Sequence, residues 1–328
     1  MSTSAARAQQ PARCAGVTAG GARCRNRAAE GGFCRLHAIP ARPSEAPRAP
    51  VSGFEEQLSE ILGFLRRRFT GEYDVDDFGL DTELTEKVVL PLLRLPYKNW
   101  WRVEQRGTEH IPREGAAMIV ANHSGTLPWD AIMTTVGVHE ATGRHLRQLA
   151  ADLAMRLPFS GELARKTGNT LACKQDSLRL LEAGELVGVY PEGFKGVGKP
   201  FKDRYKLQRF GRGGFVQVAV QAKVPIIPVA IVGAEEIYPI IGNIKPLARL
   251  LGFPYFPVTP TWPALGPLGM IPLPSKWIIT YGEPIPTDRV GEDDAADPMY
   301  LFNLTDEVRE TIQQMLYKTL MTRRGVFT

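Results

Sequence analysis

An α/β domain with a largely parallel sheet flanked by helices, preceded by a small Cys/His-rich tail, is the fold class this sequence predicts. Three observations predict it. From residue 115 onward, apolar strand-like runs alternate with helical patterns, the arrangement of a parallel sheet with crossover helices. The chain is 44% apolar and 23% charged, close to ordinary globular values, and its long charge-free stretches are broken by proline, which argues against transmembrane helices. No repeat of 20–50 residues is visible, so solenoids and propellers are out.

Residues 1–37 form the tail. They lack the apolar run of a secretory signal, and with 38–50 they hold eight arginines against Glu30 and Glu45, so all of the net charge of +5 comes from there and the remainder is close to neutral. Cys14, Cys24 and Cys34 are separated by nine residues each, and His37 follows after two more. Three thiolates and an imidazole are the right number and type of ligands for a closed structural zinc site. Metal would then supply the folding energy that so short a segment cannot draw from a core. The competing reading is a solvated basic tail with incidental cysteines. Residues 38–52 are Pro/Ala-rich and read as a linker.

Residues 53–99 read as N-terminal helices. Phe54, Leu58, Ile61, Leu62 and Leu65 fall at helical spacing within 53–69, and Leu84, Val88, Leu92 and Leu95 do so within 84–95. Between them, 72–86 carries seven acids and no base and is expected to be a solvated connector. The main domain, 100–328, then predicts strands at 100–107, 116–122, 146–150, 186–190, 225–232 and 276–282. Helices are expected at 128–142, 175–183, 213–222 and 300–321.

Polar chemistry collects at the strand ends, where open α/β sheets place ligands. NHSGTLPWD (122–130) follows the first apolar strand. His123 is placed to act as a base near neutrality, and Asp130 falls in the first turn of the next helix, where the dipole favours a carboxylate. An ionised Asp beside a His can hold its tautomer and stabilise imidazolium. A second block, LVGVYPEGFKG (186–196), runs from a strand into a Pro-Glu-Gly turn, and a third, VPIIPV (224–229), is a strand edged by prolines. GFKGVGKP (193–200) approaches a phosphate-binding loop, but Pro200 stands where a Mg²⁺-binding hydroxyl is needed, so nucleotide hydrolysis is not expected.

In order and spacing these blocks resemble the glycerolipid (lysophosphatidate/glycerophosphate) acyltransferase superfamily over about residues 100–285. The resemblance implies His123 and Asp130 as the catalytic pair, with Asn122, Lys174, Glu192, Gly193 and Lys195 around the substrate. Two departures stand out. Six residues separate His123 from Asp130, two more than the family's first block usually has, which puts the geometry of the pair in question. Lys174 and Lys195 also replace the family's arginines. Lysine meets phosphate as a point charge without the bidentate fork, so looser phosphate recognition, or an acceptor without phosphate, is expected.

The implied activity is transfer of a fatty acyl group from acyl-CoA or acyl carrier protein to a hydroxyl of a lysophospholipid or glycerol-phosphate acceptor, in phospholipid synthesis. No cofactor is needed for that chemistry. The alternatives are a neutral-lipid (mono- or diacylglycerol) acyltransferase and a non-catalytic lipid-binding protein. A 16-carbon chain at ~0.8 kcal/mol per buried CH₂ represents roughly 10 kcal/mol of apolar transfer, so a groove or a bilayer must receive it. Residues 250–275 are charge-free and hold seven prolines together with Phe253, Tyr255, Phe256 and Trp262. They read as a surface patch for lipid rather than a span. A cytoplasmic protein, peripheral on the inner face of the membrane, follows as the expected localisation; nucleic acid is not an expected partner.

Overall fold

The structure is a computed structural model describing residues 13–15, 22–28, 62–64, 66–68, 70–71, 73–156, 160–211, 213–288 and 297–328. The chain divides into two compact units, Met1–Glu72 and Tyr73–Thr328. In the first, Arg13 bridges Arg27 in antiparallel fashion and the Cys14 N–H donates to the Asn26 carbonyl at 3.0 Å. Cys14 and Cys24 are buried together beside that bridge. Residues 62–64, 66–68 and 70 are helical, and the rest of the helix expected over 53–69 lies outside the described residues. Cys34, His37 and the linker expected over 38–52 lie outside the described residues.

The second unit opens with a helical stretch, α1 (residues 82–100), in which Thr85–Val89 and Pro96–Trp100 are π-turns. β1 (Glu104–Arg106) and β2 (Ala117–Ala121) follow, then α2 (Trp129–Thr142), β3 (Leu146–Ala150) and β4 (Thr170–Leu171). Next come α3 (Lys174–Glu182), β5 (Leu186–Val189), the short α4 (Phe194–Val197), α5 (Gly214–Ala222) and β6 (Ile226–Val232). A two-stranded pair, β7 (Gly242–Asn243) and β8 (Pro257–Val258), precedes β9 (Ile278–Tyr281) and the long α6 (Pro298–Thr322).

Seven strands form one sheet in the order β1-β9-β6-β2-β5-β3-β4. Every neighbouring pair is parallel except β6 with β9. All five residues of β2 and all seven of β6 are buried, because helices cover both faces. On one face Ala117, Ile119 and Ala121 meet Met133, Val136 and Val138 of α2 and Leu90 and Tyr97 of α1. On the other, Met118 and Val120 meet α3, α5 and a stripe on α6 formed by Leu304, Val308, Ile312 and Leu316. That stripe repeats every four residues, the spacing of one helix face.

Two expectations change. The strand expected over 100–107 contracts to Glu104–Arg106, because α1 continues through Trp100. Trp101, fully buried, stacks on Trp277 at 4.9 Å and anchors the helix end, and Arg102 at φ 46 then turns the chain into β1. The acidic stretch 72–86 is also more than a connector. Asp76 pairs with Arg147, which is almost fully buried in β3 and needs a countercharge, and the Asp81 carboxylate caps α1 by accepting the Leu84 N–H at 2.9 Å.

Candidate active site

β2 pairs with β5 so that Val120 faces Val189, and with β6 so that Val120 faces Pro228. Three residues past each register point lie His123, Glu192 and Ile231. The parallel ladders therefore deliver the His123 loop and the Pro-Glu-Gly turn side by side at the carboxyl edge of the sheet. β2 is also where the crossovers divide, with β5 on one side and β6 on the other, the place such sheets put ligands.

The two central side chains meet. His123 Nδ1 lies 2.7 Å from Asp130 Oδ2. The six intervening residues are taken up by a bend that includes Gly125 at φ 77, a left-handed conformation that suits glycine. The longer spacing thus leaves the pair intact. Asp130 is fully buried, and its carboxylate also accepts the Ser124 N–H at 2.7 Å and the Ala131 N–H at 2.8 Å. A carboxylate accepting from Nδ1–H leaves Nε2 as the basic nitrogen, and the imidazole, 17% exposed, remains reachable. Tyr190 packs on the imidazole with ring centroids 4.8 Å apart. Burial, followed by the charge of Asp130, pushes its phenol well above the ordinary range, so Tyr190 stays neutral.

Glu192 and Asn122, expected around the substrate, are placed otherwise. Both are buried and their polar atoms are engaged by the protein. Glu192 Oε1 accepts the His123 N–H at 2.9 Å, and Oε2 accepts the Gln208 N–H at 2.6 Å. Asn122 exchanges two hydrogen bonds with the Ile231 backbone, 2.7 and 3.0 Å long, tying the end of β2 to β6. Both side chains position His123 from behind. Gly193 sits at φ 55, ψ −144, and among the described residues nothing stands within 4 Å of where a Cβ would be, so it shapes the turn and leaves room in front of it. Lys195, on α4, and Lys174, the first residue of α3, are exposed. Lys174 shares the carboxyl edge but follows β4, three strands from β2, or about 14 Å at ~4.8 Å per strand.

Sequence reasoning missed three participants. A Cβ on Gly196 would stand 2.9 Å from the His123 carbonyl and 2.7 Å from the Glu192 Cβ, so only glycine lets α4 pack against the dyad loop. Lys199, 2% exposed, reaches Glu192 at 3.4 Å and Glu235 at 3.2 Å. Glu235, just past β6, also accepts the Tyr205 N–H at 3.0 Å. An acidic pair directly after an apolar strand was the signal available for Glu235.

One ammonium cannot neutralise two buried carboxylates. Burial pushes the Glu235 carboxyl up to about 7, with Lys199 pulling the other way. The folded state then binds more protons than the unfolded chain between pH 4.5, the group's ordinary value, and about 7. This contribution is largest below pH 4.5 and is lost as pH rises through 7. The difference in unfolding free energy between wild type and Glu235→Gln should shift by roughly 3 kcal/mol across that window. Urea unfolding at a series of pH values measures it, and a pH-independent difference would mean that burial does not raise the Glu235 carboxyl.

The charge-free segment 250–275 also departs in detail from expectation. Phe253 is exposed, but Tyr255, Phe256 and Trp262 are half-buried; the Tyr255 hydroxyl donates to the Thr126 carbonyl at 3.3 Å, beside the dyad loop. The exposed apolar surface is mainly aliphatic, led by Leu250 (81%) and Leu268 (68%) with Leu265 and Ile271. The end of α1 adjoins it: Trp100 Nε1–H donates to the Pro272 carbonyl at 3.0 Å, and Leu92 and Leu95 are exposed along the same helix. Among the described residues no helix is long and apolar enough to cross a membrane.

Comparison with known proteins bears on this geometry. The Acyltransferase family model matches residues 102–232, which contain the dyad, the Pro-Glu-Gly turn and β6. An uncharacterized protein of Mycobacterium tuberculosis is 54% identical over 286 residues, covering 87% of this chain and 80% of that protein. One from Mycobacterium leprae is 53% identical over 281 residues, 85% of this chain and 77% of that protein. A Bos taurus protein named as a DGAT1/2-independent enzyme synthesizing storage lipids is 28% identical over 191 residues, 58% of this chain and 54% of that protein. A solved 1-acyl-sn-glycerophosphate acyltransferase from Thermotoga maritima is 19% identical, with a TM-score of 0.49 over 83% of this chain and 90% of that one.

Proposed function

The chain belongs to the acyltransferase family, and we propose that it moves a fatty acyl group from acyl-CoA or acyl carrier protein to a hydroxyl of a lysophospholipid or glycerol-phosphate acceptor. The observation that carries the reading is the His123 Nδ1 to Asp130 Oδ2 contact of 2.7 Å, with the imidazole reachable at a sheet switch point. His123 Nε2 takes the proton of the acceptor hydroxyl. The alkoxide oxygen attacks the thioester carbonyl, and Asp130 stabilises the imidazolium that results. Collapse of the tetrahedral intermediate forms the ester and breaks the C–S bond. The departing thiolate recovers the proton from Nε2, so no covalent acyl-enzyme is required. Glu192 and Asn122 hold the loop in register, as preorganised sites require.

For the acceptor's charge, Lys195 is the exposed cation of α4, which directly follows the Pro-Glu-Gly turn. A neutral acylglycerol acceptor is the second reading, favoured by the likeness to proteins named for storage-lipid synthesis. Purified protein with labelled palmitoyl-CoA or labelled palmitoyl carrier protein and a panel of glycerol 3-phosphate, lysophosphatidate, lysophospholipid, mono- and diacylglycerol separates the two. Label in phosphate-bearing products supports the first reading and label in neutral products the second. Acceptor binding with no transfer from either donor leaves a lipid-binding protein.

We further propose that the protein works peripherally on the inner face of the membrane, docking through the aliphatic surface of 250–275 and the adjoining α1. Fully burying a Leu or Ile side chain contributes about 1.5–3 kcal/mol, so three of them suffice for reversible binding. The triple variant Leu250→Asp, Leu268→Asp, Ile271→Asp should remain folded but pellet with anionic vesicles far less than wild type. Equal pelleting would move the contact elsewhere. The Cys14, Cys24, Cys34, His37 zinc site also remains a proposal, supported by the joint burial of Cys14 and Cys24.

A further inference from the structure

At the end of α2 remote from the dyad, three side chains from separate segments converge. Glu86 comes from α1, His139 from the last turn of α2, and His145 immediately precedes β3. One ligand atom from each lies within 4.8 Å of the other two. His145 Nε2 stands 3.3 Å from Glu86 Oε1, and the two imidazole centroids are 5.4 Å apart. Among the described residues, His139 Nδ1 is buried with no hydrogen-bond partner, which is uncommon for a polar atom inside a protein.

We propose that Glu86, His139 and His145 bind a zinc ion. Two imidazoles and a carboxylate are a zinc donor set, with water as the fourth ligand. Zinc bonds of about 2.0–2.2 Å place neighbouring tetrahedral ligand atoms roughly 3.3–3.5 Å apart. The His145–Glu86 separation already has that value, and a small ring adjustment brings His139 to it. Glu86 is half-exposed, so the ion can enter from solvent. Arg94, whose charge reaches His139, is held by Glu140 at 2.6 Å and so is partly neutralised.

His139 lies nine helical steps beyond Asp130, about 14 Å at ~1.5 Å per residue, so the ion lies outside the acyl-transfer site. Its ligands are brought together only by folding, so it stabilises the native state. It ties α1, which carries Leu92, Leu95 and Trp100, to the corner between α2 and β3. The proposal is independent of the acyltransferase reading.

The test uses untagged full-length protein in a Cys14→Ser, Cys24→Ser, Cys34→Ser, Cys173→Ser background, so that thiols do not contribute. Chelator-stripped protein is titrated with zinc by equilibrium dialysis, and melting temperature is followed in parallel. About one equivalent of zinc and a rise in melting temperature are expected, both absent when His139→Ala and His145→Ala are added. Glu86→Gln, at a half-exposed position that cannot unfold the chain, should weaken binding by at least the roughly 10–100-fold that loss of an outer-shell partner costs. A folded background protein that takes up no zinc overturns the site. So does zinc uptake unchanged by the histidine substitutions, or an affinity unchanged by Glu86→Gln.

Discussion

His123→Ala should lower turnover by about 10²–10⁴, the contribution of a positioned general base. The fold should be unaffected, because the imidazole is partly exposed and the backbone N–H that Glu192 holds remains. Asp130→Asn should be at least as severe, near the ~10⁴ lost when a triad carboxylate becomes an amide. The reason is geometric. The carboxylate accepts His123 Nδ1–H and the N–H groups of Ser124 and Ala131 through both oxygens. An amide has one acceptor oxygen, so its NH₂ must face a donor. Asp130→Asn should therefore also lose some stability, whereas His123→Ala should not. Release of free CoA from acyl-CoA in the presence of acceptor, alongside urea unfolding of both variants, measures the pair. Turnover retained in folded His123→Ala would end the general-base mechanism.

Lys199→Met should produce the largest stability loss of any single change near the site, roughly 3–5 kcal/mol, the usual result of removing one partner from a buried ionic group. Two carboxylates, Glu192 and Glu235, would then share a dry site with no cation. Adding Glu235→Gln should restore part of the loss by removing one of them. The coupling also reaches function, because Glu192 holds both the His123 and Gln208 backbones. The single variant should lose kcat more than it changes KM, since a displaced base affects the chemical step rather than ground-state binding. Unfolding curves for the two single variants and the double variant form a cycle that isolates the interaction. A Lys199→Met protein as stable as wild type would mean that the three charges do not act as a unit.

The alternation of strands and helices, the continuous apolar runs of β2 and β6, and the four-residue stripe on α6 are properties of local residue order, and they determined the α/β class by themselves. The dyad was legible for the same reason. His123 and Asp130 lie close in sequence, one past a strand end and the other in a helix's first turn, so local structure nearly suffices to join them. What the sequence could not decide were the partnerships across the sheet. Glu192 reads as a substrate-facing turn residue until the β2–β5 register sets it behind His123, and Asn122 does so until β6 arrives beside β2. Lys199, Glu235 and Gly196 acquire roles only once distant loops share one buried volume, where an unpaired charge or an extra methyl group has a large energetic consequence. The acidic stretch 72–86 read as a connector alone because Arg147, the countercharge of Asp76, lies in a strand some seventy residues away. Burial is a collective property of the packed layers, and tertiary structure alone decides which polar groups it encloses and therefore which must find partners.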